Sequence, residues 1–169
     1  MKGLIVYRLV SVLVNMFSMF LAILLFMVLP AVFSNLLLAL PAFLLLSIVL
    51  YAWFANKFFI KAFVQRTVFT KKQKDWLQVN AIVTSIVSAI WFFSAFSAYT
   101  HPTPLKEAVE VQMPAELQNK ITIQTVKNIG IGLMSICVLL LTHVIWTISL
   151  LRKYLEHLKN VSEESDMDN

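Results

Sequence analysis

The stretch "LVSVLVNMFSMFLAILLFMVLP", residues 9–30, decides the fold, because it carries no charged residue and only Ser11, Asn15 and Ser18 as polar side chains. About 20 apolar residues suffice to carry a helix across the hydrocarbon core of a bilayer. A surface helix of a soluble domain would need a polar face, and this stretch has none. Lys2 and Arg8 precede it, and Val32-Phe33-Ser34 resembles a signal-peptide cleavage site. Signal-peptide cores, however, run only about 7–15 residues. The sequence therefore predicts a retained first span at about residues 9–29, ended by Pro30.

Three further blocks of similar length follow, at about 36–55 (or from Pro41 into Phe58–Val64), 77–99 and 129–151. Together they predict an all-α membrane protein, a four-transmembrane-helix bundle built as one domain over residues 1–161. Composition agrees. The chain has 169 residues, of which 59% are hydrophobic and 14% charged, against roughly 25% charged in an average globular domain.

Lysine and arginine set the expected direction. The N-terminus (Lys2, Arg8), the link between spans two and three (Lys57, Lys61, Arg66, Lys71, Lys72, Lys74) and the tail (Arg152, Lys153, Lys159) hold eleven of the fourteen basic residues. The other side holds Lys106, Lys120 and Lys127. The positive-inside rule then places both termini in the cytoplasm, with the cell (inner) membrane as the expected location. Tyr7, Tyr51, Trp53, Trp76 and Tyr154 fall near the same ends, where amphipathic rings favour the head-group level. The formal charge of +5 is thus assigned to lipid head groups, with Lys57, Lys61, Arg66, Lys71, Lys72 and Lys74 as the contacts and no nucleic-acid partner. Thr70-Lys71-Lys72-Gln73 fits a capping box at the start of the third helix.

The outer loop, residues 100–128, reads in two ways. Ala108–Met113 and Ile121–Val126 largely alternate apolar and polar residues, which predicts a short hairpin. Pro114-Ala115-Glu116-Leu117 predicts a helix start instead. The acidic tail, residues 162–169, has the composition of a solvated, disordered segment.

Known small membrane proteins of similar layout supply tests. The chain resembles small multidrug pumps in span number, yet every Asp and Glu lies outside the apolar cores. It is similar in size to lipoprotein signal peptidases, yet Asp75, Asp166 and Asp168 all fall on the expected cytoplasmic side. Quinone-linked disulfide-forming enzymes share the span count but need cysteine pairs, and Cys137 stands alone. Bis-histidine cytochromes need two opposed imidazoles; of His101, His143 and His157 only His143 lies inside a span. The three glycines cannot build a phosphate-cradling loop of the usual kind. No catalytic residue, metal ligand or cofactor is assigned.

Polar residues within the spans remain. Ala81, Ser85 and Ala89 recur every four residues, and small residues at that spacing let helices approach closely, so they form the expected packing seam. At about 1.5 Å per residue, Asn15 lies roughly 9 Å, and Ser47, Ser85 and His143 roughly 12 Å, inward of their cytoplasmic ends. A polar layer of Asn15, Ser47, Ser85 and His143 follows. The sequence thus points to a multi-pass membrane protein acting as a non-enzymatic accessory or assembly component, with membrane lipids and a protein partner or a homo-oligomer around it. The alternatives are an oligomeric transport or permeation protein, and a lipid- or cofactor-dependent enzyme using His143 or His101. A reporter active only outside the cytoplasm is expected to be silent when fused to the C-terminus. Inserted within residues 100–128, the same reporter is expected to be active.

Overall fold

The computed structural model describes residues 2–112 and 121–167. Among them every regular element is helical: α1 (Lys2–Ser34), a 3-10 turn (Leu36–Leu38), α2 (Ala39–Phe59), a π-turn (Ile60–Val64), α3 (Lys71–Thr100), α4 (Pro102–Gln112) and α5 (Ile123–Met167). Four stretches are long and apolar enough to cross a membrane: Gly3–Ser34, Leu36–Val64, Lys71–Thr100 and Ile123–Asn160. The chain therefore has the make-up of a multi-pass membrane protein.

No strand occurs among the described residues, so the hairpin is corrected. Ala108–Gln112 closes α4, and Ile123–Val126 opens α5. Alternation over five or six residues is too short to outweigh helix propagation from flanking segments. The helix start at Pro114 lies outside the described residues. The backbone of α5 is helical to Met167, well into the acidic stretch whose composition suggested disorder. Extending a helix already nucleated in a span costs far less than starting one.

The chain divides into two compact units. The first comprises Met1–Ser85 and Thr142–Asn169. Here α1 buries Tyr7, Ser11, Val14, Ser18 and Leu21, spaced alternately four and three apart, which is the seam of a helix packed along a neighbour. That neighbour is α2, which buries Ile48, Tyr51, Ala52, Ala55, Phe58 and Phe59 at matching intervals. Pro30 does not end α1. Its missing N–H forfeits one backbone bond, a loss that membrane helices absorb by local adjustment. Asn35 ends the helix instead: its backbone turns extended (φ −141, ψ 102) and its side chain accepts from the Leu37 N–H at 3.1 Å. Pro41 sits in the first turn of α2, where proline costs no helical bond.

After α2 the chain closes through a wide turn. The π-turn ends with Gln65 N–H donating to Ile60 C=O at 2.8 Å and Thr67 N–H to Lys61 C=O at 2.9 Å. Between them Arg66 takes a left-handed conformation (φ 52). This is a glycine-type helix end widened by the preceding π geometry, but with arginine at the left-handed position. Phe58, Phe63, Phe69 and Tyr154 then pack ring against ring. Phe58 and Phe69 turn into the core, while Arg66, Lys71 and Lys72 stay exposed. Tyr154 pins the link to α5 by accepting from Phe69 N–H at 3.1 Å and donating to Thr67 C=O at 3.4 Å. The capping box is present: Gln73 N–H donates to Thr70 Oγ1 and Thr70 N–H to Gln73 Oε1, both at 3.4 Å.

The second unit comprises Ile86–Leu141: the end of α3, all of α4 and the start of α5. Close approach decides its packing. A Cβ built on Gly130 would stand 3.1 Å from Ala95 O and 3.5 Å from Tyr99 Cβ, whereas one on Gly132 meets nothing within 4 Å. Gly130→Leu is therefore expected to lower stability by about 1–3 kcal/mol in reversible unfolding in detergent. Gly132→Leu is expected to leave it within roughly 0.5 kcal/mol.

Candidate functional site

Four side chains from three helices meet in the first unit: Tyr7 of α1, Tyr51 of α2, and His143 and Thr147 of α5. None is more than 1% exposed. Tyr7 and Tyr51 face inward because each occupies the seam position of its helix, so the expected head-group placement of these two rings is corrected. Trp53 and Trp76, by contrast, are exposed.

Thr147 lies four residues after His143, one helical turn on. Its hydroxyl donates back to the His143 carbonyl at 2.8 Å. A hydroxyl has one proton and two lone pairs, so Thr147 Oγ1 can only accept from others. Tyr51 donates to it at 3.1 Å, and Tyr7 must donate to it across 3.0 Å. Tyr51 has then spent its proton. Its 2.7 Å contact with His143 Nδ1 requires the ring to donate, which puts the imidazole proton on Nδ1. Nε2 is left as a bare acceptor, buried and without a protein partner. Ring packing holds the imidazole in place: Tyr7 stacks on it at 5.1 Å with a 14° tilt, and Tyr51 meets it edge-on at 5.7 Å. Trp146 and Phe59 close on Tyr7 from other sides.

The other residues singled out by sequence are placed differently. Ser47 Oγ donates to Phe43 O at 3.1 Å and Ser85 Oγ to Ala81 O at 2.8 Å, each within its own helix. Asn15 is half-buried on α1. The partners around His143 are thus Tyr51 and Thr147. On α3, Ala81 is buried, whereas Ser85 and Ala89 are half-buried. The fully covered line in the first unit runs through Leu77, Asn80, Ala81 and Thr84, and Thr84 Oγ1 is buried without a partner. In the second unit Ser88 Oγ is likewise buried and unpartnered.

Among the cations of the link, Lys57 lies over the Trp53 ring at 5.0 Å and Lys61 donates to Gln73 at 3.2 Å. Lys74 stands 3.9 Å from Asp75. Arg66, Lys71 and Lys72 project from the surface. His101 lines a shallow cavity of about 630 Å³ in the second unit with Ser94, Ser97 and Pro104. Among the described residues no group of three or more His, Cys, Asp or Glu is placed to hold a metal ion.

Sequence reasoning missed Tyr7, Tyr51 and Thr147. The available signal was spacing: Thr147 falls one turn from His143, and Tyr7 shares the seam of Ser11, Val14 and Ser18.

These features define a class: a chain with the make-up of a polytopic helical membrane protein, in which one buried histidine sits in a network of two tyrosines and a threonine. No protein-family model, curated protein or solved structure matches the chain.

Interhelical hydrogen bonds in membranes average about 0.6 kcal/mol, with a maximum near 1.7. Tyr51→Phe removes two bonds and is expected to cost about 1–2 kcal/mol in reversible unfolding in detergent. Tyr7→Phe removes one and is expected to cost about half as much. His143→Gln is expected to preserve the fold, because an amide can still donate to Tyr51. The Tyr51→Phe and Thr147→Val changes are expected to be non-additive, since both touch one junction.

Proposed function

We propose that this chain is a non-enzymatic accessory or assembly component of a larger membrane complex, held in the cell (inner) membrane with both termini cytoplasmic. One observation carries the reading: His143, the only imidazole or carboxylate group among the described residues of the four apolar cores (about 9–29, 36–55, 77–99 and 129–151), is enclosed by protein. Its Nδ1 is bonded to Tyr51, Tyr7 covers a face of the ring, Tyr51 covers an edge, and its exposure is 1%. A solute path or an active site would need that group to be reachable.

The outward faces support the same reading. On α1, Leu9, Val12, Met16, Met19, Ile23 and Phe26 are all exposed, opposite the buried seam. Methionine and phenylalanine adapt readily to another helix as well as to lipid. Such a surface suits association within the bilayer, where packing rather than water release drives helix contacts. The basic residues of the link and the tail suit the anionic leaflet beside it.

Gentle extraction from native membranes tests the proposal. The expected result is a partner protein at constant stoichiometry, which dissociates in the Met16→Lys/Met19→Lys variant while helical content is unchanged. A homogeneous oligomer that moves a solute after reconstitution would overturn it, as would a bound chromophore in the absorption spectrum.

A further inference from the structure

A largely apolar recess of the first unit, rimmed by basic side chains, lies where the link after α2 meets α1 and the charged end of α5. It is a cavity of about 600 Å³ lined by residues of all three segments. Leu4 of α1, Phe63 of the link and Leu150 of α5 form an apolar wall, and Arg66, Lys153 and His157 bring nitrogen bases to the same space. Arg66 and Lys153 are cations, and no carboxylate is among the lining residues. The opening stands where the hydrophobic run of α5 gives way to Arg152 and Lys153.

Arg66 adds an independent observation. Its backbone is left-handed (φ 52), a conformation that disfavours any residue with a Cβ and that helix ends normally give to glycine. The same widened helix end would form more readily with glycine there. Strain of this kind persists only where the surrounding structure holds it, and it clusters at ligand-binding positions. An arginine offers a planar set of donors matched to phosphate oxygens.

We propose that this cavity is a specific binding site for one anionic phospholipid. Its phosphate is held by Arg66 and Lys153, His157 lies within the same head-group space, and an acyl chain lies along Leu4, Phe63 and Leu150. This goes beyond diffuse attraction of the basic link to a charged leaflet, because it names one half-open recess with an apolar wall. It does not depend on the accessory reading.

The test is native mass spectrometry of the full chain in detergent, titrated with palmitoyl-oleoyl phosphatidylglycerol or with the matching phosphatidylcholine. One tightly held phosphatidylglycerol per chain is expected, preferred over phosphatidylcholine by at least about fivefold, the effect of roughly one cation near a lipid surface. Arg66→Gly is expected to abolish the preference while the melting temperature stays level or rises, since glycine relieves the left-handed backbone. Val68→Trp, at another lining position, is expected to weaken binding by filling the recess with its charges intact. Lys71→Gln/Lys72→Gln, outside the recess, is expected to change little. Equal retention of both lipids would overturn the proposal. So would equal losses in the Arg66 and Lys71/Lys72 variants, which would mean a diffuse surface effect. Complete displacement of the lipid by millimolar inorganic phosphate would overturn it too, because the acyl chain would then contribute nothing.

Discussion

The hydroxyl of Thr147 is the constraint on which the first unit turns. In a bilayer a buried polar group has no water to fall back on, so a protein partner is worth more to it there than in a soluble fold. Thr147 uses its proton on its own helix and its two lone pairs on two tyrosines. That single oxygen thereby ties α1, α2 and α5 together and fixes which way His143 can carry its proton. Oily surfaces alone would leave the three helices free to rotate against one another. Three directional bonds at one atom do not.

The same economy explains why small and aromatic residues alternate along the seams. Ser11 and Ser18 on α1, and Ala52 and Ala55 on α2, keep the helices close. Tyr7 and Tyr51 fill the space at the level where hydrogen bonding is needed, with an apolar ring against the neighbours and a polar tip at the junction. Phe58 repeats the arrangement one level further along without a polar tip, and there Phe63, Phe69 and Tyr154 supply the contacts.

Much of this architecture was legible in the sequence, and the reasons differ by element. Hydropathy exposes long apolar helices because lipid imposes one composition over a whole span. The Thr70–Gln73 capping box was readable because its two bonds are local. Pro30 misled because the rule that proline stops helices comes from water, where a lost backbone bond has more competitors. The tyrosines misled for a related reason. An amphipathic ring near a span end suits the interface as well as it suits a buried hydroxyl network, and only knowing which stripe of α1 meets α2 separates the two. Depth alone grouped His143 with Asn15, Ser47 and Ser85. Rotation about each helix axis determines what the imidazole meets, and depth says nothing about rotation.

The Thr147 junction also has a consequence for biogenesis. Tyr7 and Thr147 are 140 residues apart in the chain, and Tyr51 and Thr147 are 96 apart. During synthesis the first two spans enter the bilayer long before α5 exists. Through that interval two phenolic hydroxyls at the heart of the future core have no lasting partner. The first unit is therefore closed only once α5, the last of its helices to be made, supplies Thr147.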